Sequence, residues 1–309
     1  MACSHASRSA CAGIRRRSAV ALFSVGLASC SSGVLDPLGP VGRGDAIILI
    51  NATVIMLAIV VPTILLALWT AWHFRASNTK AEYLPYWSYS GRIEAVVWSI
   101  PTLTIMFLSG VIWIGTHKLD PFRPLPSEVP ALEVQVVSLD WKWLFIYPEQ
   151  GIATINQLVI PAGRPVHFSI TSASVFNAFF VPRLGSMIYA MPGMVSRLYL
   201  QADEPAQTWG TSAQFSGDGF TDMQFNVESV SHNDFDAWVA GVRGRGEVLD
   251  RPTYFRLLEQ TQDVPPTTFQ GVDPDLFHAV AMQTIPPGPG PEPGGPGHAG
   301  RELSTGGRN

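Results

Sequence analysis

Cysteine is nearly missing from this chain, and what there is lies at one end: Cys3, Cys11 and Cys30. Nothing after Cys30 can enter a disulfide or offer a thiolate to a metal, whatever the compartment. Charge is scarce too. Only 14% of the 309 residues are charged while 47% are hydrophobic, which is lopsided for a soluble protein. The net charge of −4 gives no basic field, so nucleic acid is not an expected partner. Histidine is sparse where it would matter, since His167 is the lone example between Ala131 and Val230. No Gly-x-Ser-x-Gly turn or paired base accompanies Ser212 or Ser216, so a serine nucleophile is not expected.

What is present is ordered along the chain. Arg15, Arg16 and Arg17 precede an apolar run from Ala19 to Ala28, too short to span a bilayer, that ends in Leu27-Ala28-Ser29-Cys30. Residues 1–29 therefore read as an export signal. The last four residues match a bacterial lipoprotein box, cut before Cys30, whose sulfur then carries a diacylglyceryl group. An ordinary signal cut near the same place is the competing reading. Lipidation is taken because a single cysteine has no other evident use here.

Two long apolar runs follow, Ala46 to Trp72 and Ala95 to Gly115, interrupted by Pro62 and Pro101 and edged with tryptophan. Each meets the length of about 20 residues that a hydrocarbon layer demands. They predict a transmembrane hairpin within residues 30–120, with helices at about 46–72 and 93–116. Between them lie Arg75, Lys80 and Arg92 against a single acidic residue before Glu94, so the connection faces the cytoplasm and both flanking regions face outward.

A proline-rich linker, Pro121 to Pro130, leads into short alternating segments: Leu132 to Val136, Val166 to Ile170, Arg197 to Leu200 and Gln224 to Val227. These predict a small β-sandwich or Greek-key barrel over about 129–230. Residues 231–283 read as mixed, with helices expected around Asp234 to Val242 and Tyr254 to Gln260. Residues 284–309, opening on a Pro/Gly run, are expected to be disordered. The fold class is thus membrane α plus all-β: a two-helix hairpin, an external β-domain and an aromatic-containing C-terminal segment.

Specific text narrows this further. Asp140-Trp141-Lys142-Trp143 followed by IYPEQGIATINQLVIPAG, the stretch Ser172 to Pro182, and PRLGSMIYAMPGM resemble the cupredoxin domain in subunit II of haem-copper oxidases. The loop GTSAQFSGDGFTDM from Gly210 to Met223 is similar to that family's copper loop. In copper-bearing members two cysteines, a histidine and a methionine of this loop hold a two-copper centre, with a further histidine from the preceding segment. Here the thiolate positions are Ser212 and Ser216, the histidine positions Phe220 and Asn177, and only Met223 is retained. A serine hydroxyl is a hard neutral oxygen that cannot replace a bridging thiolate on soft copper. This pattern, with the segment from Phe235 to Phe277, resembles the quinol-oxidising branch, the bo-type ubiquinol oxidases.

The resemblance implies a subunit of a proton-pumping quinol oxidase that binds no metal itself. Haems and copper would lie in subunit I, ubiquinol would be the electron donor, and further membrane subunits and lipid of the bacterial inner membrane would be neighbours. It also implies a role for Glu94, which stands seven residues before Pro101 at the mouth of a proton path in many relatives. An interfacial acid favoured by the helix N-terminus fits the same position, and both readings stand. Trp141 matches the electron-accepting tryptophan of cytochrome c-fed relatives, but without copper behind it both Trp141 and Trp143 are expected to be core aromatics. His167 is expected to be an ordinary strand residue, and Met187, Met191, Met194 and Met223 packing residues rather than a thioether copper site. The alternative function is a membrane-anchored cupredoxin-like lipoprotein with a binding or assembly role.

Overall fold

The computed structural model describes residues 33–82 and 84–290. The signal region with Cys30, and residues 291–309 of the tail, lie outside the described residues. Among the described residues two helices come first, α1 (Pro40–His73) and α2 (Gly91–Lys118), each long and apolar enough to cross a membrane. Their threonine hydroxyls donate to carbonyls one turn back, as Thr53 does to Leu49 and Thr102 to Trp98, so these hydroxyls do not face hydrocarbon unpaired. The helices approach closely near the β-domain, where a Cβ on Gly115 would lie 2.7 Å from Ile48 Cδ1.

The first helix starts at Pro40 rather than with its apolar run at Ala46, because Pro40 at the first position presets the helical φ. That extra length is lodged in the β-domain. Leu38 N–H donates to the Arg183 carbonyl (2.8 Å), and Asp203 N–H donates to the Leu38 carbonyl (2.9 Å). The Asp45 carboxylate accepts from Ser186 N–H (2.9 Å), and Arg183 pairs with Asp36 (2.6 Å) and Arg43 with Asp203 (2.5 Å). Gly39 is obligatory at this joint, since a Cβ there would sit 1.8 Å from the Gln201 carbonyl oxygen.

The β-domain is a sandwich. Among the described residues its strands are, in chain order, β1 (Leu132–Leu139), β2 (Lys142–Tyr147), β3 (Ile152–Ile155), β4 (Gln157–Pro161), β5 (Val166–Ser172), β6 (Asn177–Val181), β7 (Gly185–Ala190), β8 (Ser196–Leu200), β9 (Ala206–Ser212), β10 (Gln224–Val230), β11 (Glu247–Leu249) and β12 (Thr267–Val272). One sheet has the order β11-β12-β3-β2-β1-β5-β8 and the other β4-β10-β9-β6-β7. β1 and β5 run parallel, as do β4 and β10, so the sheets are mixed rather than simple meanders. Between the sheets lies an aromatic core of Trp143, Phe145, Tyr147, Phe168, Phe179 and Phe225, with Trp143 edge-on to Phe179 at 5.5 Å.

Every residue of β2 is buried. Trp143, Phe145 and Tyr147 point into the sandwich, while Leu144 and Ile146 belong to a second apolar cluster on the other face. That cluster is supplied by the C-terminal segment: Leu249, Tyr254 of helix α4 (Arg251–Leu257), Phe269, and Leu276, Phe277 and Val280 of helix α5 (Leu276–Ala281). Helix α3 (His232–Arg243) presents Phe235 and Val239 to the inner core instead; its N-cap Ser231 accepts from Asp234 N–H.

The disorder expected from residue 284 onward is corrected for residues 284–290. Ile285 is buried, Gly288 N–H donates to the Ala173 carbonyl (2.8 Å), and Gly290 N–H donates to Asp140 Oδ2 (3.1 Å). Proline and glycine cannot build a core of their own, but here they lie along one that already exists. The expectation for residues 291–309 lies outside the described residues.

Candidate functional site

The segment from Gly210 to Met223 comprises the end of β9 and the loop that leads to β10, and the fold draws its distinctive residues together with the start of β6. Asn177 opens β6, Ser212 ends β9, and Met223 immediately precedes β10; all are buried, as is Ser216. Ser212 N–H donates to the Met223 carbonyl (3.1 Å), and Ala213 N–H to the Ala178 carbonyl (3.0 Å), so backbone bonds fix the loop's two roots. Ser212 Oγ donates to Asn177 Oδ1 (2.9 Å), and Ser216 Oγ stands 3.9 Å from Met223 Sδ. The side chains therefore pair with one another. Asn177 Nδ2 is left without a hydrogen-bond partner among the described residues.

Phe220 departs from this convergence. It sits on a short 3-10 turn, Phe220–Asp222, and packs edge-on against the exposed Phe215 at 5.6 Å. Trp141 closes the loop from below. It occupies the two-residue turn between β1 and β2 with φ of +63°, a conformation bulky residues rarely adopt. Its Nε1–H donates to the Ser216 carbonyl (3.1 Å), and Gly219 lies so close that an added Cβ would meet the indole at 2.4 Å. Trp143 is a core aromatic, as expected, whereas Trp141 is buried beneath the loop and outside the main core cluster.

Could this site hold copper? A two-copper centre needs thiolate bridges and imidazoles. The convergent groups are two hydroxyls, an amide and one thioether, and the phenyl ring of Phe220 has no donor atom. The donor set does not fit. Among the described residues, moreover, no group of three or more His, Cys, Asp or Glu side chains could hold a metal ion. His167 lies away from the loop on β5, where it bonds Glu133 and stacks on Tyr199 at 4.5 Å. Of the four methionines, Met223 is fully buried, but Met187 and Met194 are 47% and 53% exposed, which corrects the expectation that all four pack within this chain.

Glu94 lies in the first turn of α2, exposed, with its N–H donating to the Ser90 carbonyl (3.0 Å). The structure does not bring it near the loop residues. Sequence reasoning missed a buried polar node at the foot of the loop. Asp140 accepts from Ser174 Oγ and from Gly290 N–H, and Lys142, 1% exposed, donates from Nζ to the Glu259 carbonyl (2.8 Å) and Thr261 Oγ1 (2.5 Å). Burial pushes the Lys142 ammonium down to about 8, against the opposing pull of Asp140 and Glu259. The signal available was the polar-aromatic alternation of Asp140 to Trp143, but nothing in it named the C-terminal partners.

Comparison with known proteins agrees with this architecture. The family described as cytochrome C oxidase subunit II, periplasmic domain, matches residues 132–230, and the COX aromatic rich motif matches residues 243–288. Ubiquinol oxidase subunit 2 of Acetobacter aceti is 51% identical over 83% of this chain and 84% of its own length. Cytochrome bo(3) ubiquinol oxidase subunit 2 of Pseudomonas aeruginosa is 49% identical over 81% of this chain and 76% of its own. Quinol oxidase subunit 2 of Bacillus cereus is 34% identical over 73% of this chain and 78% of its own. With a helical hairpin, a sandwich and an aromatic C-terminal cover in common order, and identity sustained across them, the chain belongs to the ubiquinol oxidase subunit 2 family.

Proposed function

We propose that this chain is the second subunit of a terminal quinol oxidase in a bacterial inner membrane, and that its external β-domain carries no copper. The observation that carries this reading is the donor set of the loop: Ser212, Ser216, Asn177 and Phe220 offer neither thiolate nor imidazole. A water-facing relay is unnecessary when the reductant is a quinol, which dissolves in the bilayer and delivers two electrons and two protons there. Haems and copper then reside in subunit I, and quinol oxidation, oxygen reduction and proton pumping take place in that partner.

On this reading the present chain braces the reaction subunit with α1 and α2 and covers its outer face with the sandwich. Cys30, after signal removal, carries the lipid. The basic connection between the helices lies in the cytoplasm, so Glu94 stands at the cytoplasmic boundary, where a carboxylate can collect protons and pass them to the partner. Replacing Glu94 with Ala in the assembled enzyme lowers proton uptake and turnover on this reading; unchanged values remove the proton role and leave the assignment of the subunit intact.

The assay that tests the main reading uses the purified complex. Quinol drives oxygen consumption, reduced cytochrome c does not, and copper content accounts for the reaction centre of subunit I alone. Additional copper that co-purifies with this chain, or turnover on cytochrome c without quinol, refutes it.

A further inference from the structure

A cleft of about 250 Å³ opens where the upper ends of α1 and α2 meet the linker and the β-domain. Its lining combines Lys118, Arg123 and Asp120 with Leu119, Leu125 and Tyr199. We infer that this cleft seats the headgroup phosphate of an anionic phospholipid from the outer leaflet.

The position comes first. The cleft begins where the apolar face of α2 stops, at Lys118, the last residue of that helix. Just below it Ile112, Trp113 and Ile114 are exposed, and Phe122 is exposed beside it. Aromatic side chains bracketing a cation at the end of a span mark the headgroup level. A phosphate in the cleft would leave its acyl chains against these apolar surfaces, which a soluble anion could not use.

Charge supports the same occupant. Lys118 and Arg123 make no ion pair among the described residues. The first turn of α1, represented in the lining by Pro40 and Val41, contains no acidic residue and its N-cap makes no side-chain hydrogen bond, so its positive end adds to the two cations. Asp120 opposes them, but its Oδ1 already accepts from Phe122 N–H (3.0 Å) and holds the linker's turn. The lining is therefore net positive and partly apolar, which suits a phosphodiester better than a free carboxylate peptide or a neutral sugar. The inference requires the helices to span a membrane and is independent of what the complex oxidises.

The test reconstitutes the purified complex into nanodiscs of phosphatidylcholine containing a small fraction of phosphatidylglycerol. Phosphatidylglycerol retained by the protein is then counted by native mass spectrometry. Replacing Lys118 or Arg123 with Gln weakens retention about fivefold for each cation removed. The charge-preserving pair Lys118→Arg and Arg123→Lys keeps it, Asp120→Asn raises it, and Arg245→Gln, on the turn after α3, leaves it unchanged. Oxygen consumption of each variant is measured alongside and is expected to persist. Equal retention in the Lys118→Gln/Arg123→Gln variant and the parent would overturn the proposal. So would protection of Lys118 from amine acylation by inorganic phosphate with none from phosphatidylglycerol, which assigns the cleft to a soluble anion.

Discussion

Changing Gly39 to Ala should open the joint between the membrane helix and the β-domain. The new methyl would lie 1.8 Å from the Gln201 carbonyl oxygen and 3.0 Å from its carbon, and both are backbone atoms that cannot rotate aside. Relief requires the segment before α1 to move away from the strand end at Gln201. That movement breaks the bonds from Leu38 to Arg183 and from Asp203 to Leu38, worth about 1 kcal/mol each. It also exposes Leu38 and Val41, at about 2 kcal/mol each if both leave fully. The ceiling is about 6 kcal/mol, and a partial shift costs roughly half of that. In hydrogen exchange this corresponds to a fall of about two to four powers of ten in protection at the Leu38 and Asp203 amides. The control is Gly241→Ala in α3, where nothing lies within 4 Å of an added Cβ and the helix gains about 0.5–1 kcal/mol. Protection at Leu38 and Asp203 within threefold of the parent in Gly39→Ala would refute the close approach on which the argument rests.

Ser212→Ala removes the hydroxyl that satisfies Asn177 Oδ1 and should destabilise the domain by about 1–3 kcal/mol in urea unfolding, whereas Ser212→Ala with Asn177→Leu recovers much of the loss. Lys142 has a native pKa near 8, below its ordinary value of 10.5, so the unfolded chain binds more protons between these values and stability should rise as pH increases from about 8 toward 10. Lys142→Met should abolish that slope; above about 10 the buried Tyr147 and Tyr254, whose pKa values are raised by burial, turn it downward. Ending the chain at Gln283 removes the buried Ile285 and the bonds from Gly288 and Gly290, and should lower stability by about 2–4 kcal/mol in the same unfolding assay.

Much of the fold was legible because its signals are local. Apolar length alone separates α1 and α2 from everything else, and the alternation at Leu132, Val166 and Gln224 falls within β1, β5 and β10. The chemistry of the loop was legible for a different reason: a missing thiolate needs no coordinates to be noticed. The invisible parts depend on partners far along the chain. Lys-Trp-Leu-Phe-Ile-Tyr gives no periodicity because β2 is covered on both faces, and one of those faces is covered by residues from Leu249 onward. The three-residue strand Glu247–Leu249 has too little length to declare itself, and pairs with β12 across a bulge. Nor does sequence show that a lysine between two tryptophans is buried, since only the placement of Glu259 and Thr261 makes it so.

The shared cover of β1, β2 and β3 has a consequence for biogenesis. Those strands are early in the chain, yet the side chains of Leu144, Ile146, Ala153 and Ile155 stay wet until the stretch from Leu249 to Ile285 arrives. A polypeptide threaded across a membrane from its N-terminus delivers that stretch last. The core between the two sheets needs nothing from that stretch, but the outer face of this sheet stays uncovered until Leu249 to Ile285 has folded onto it.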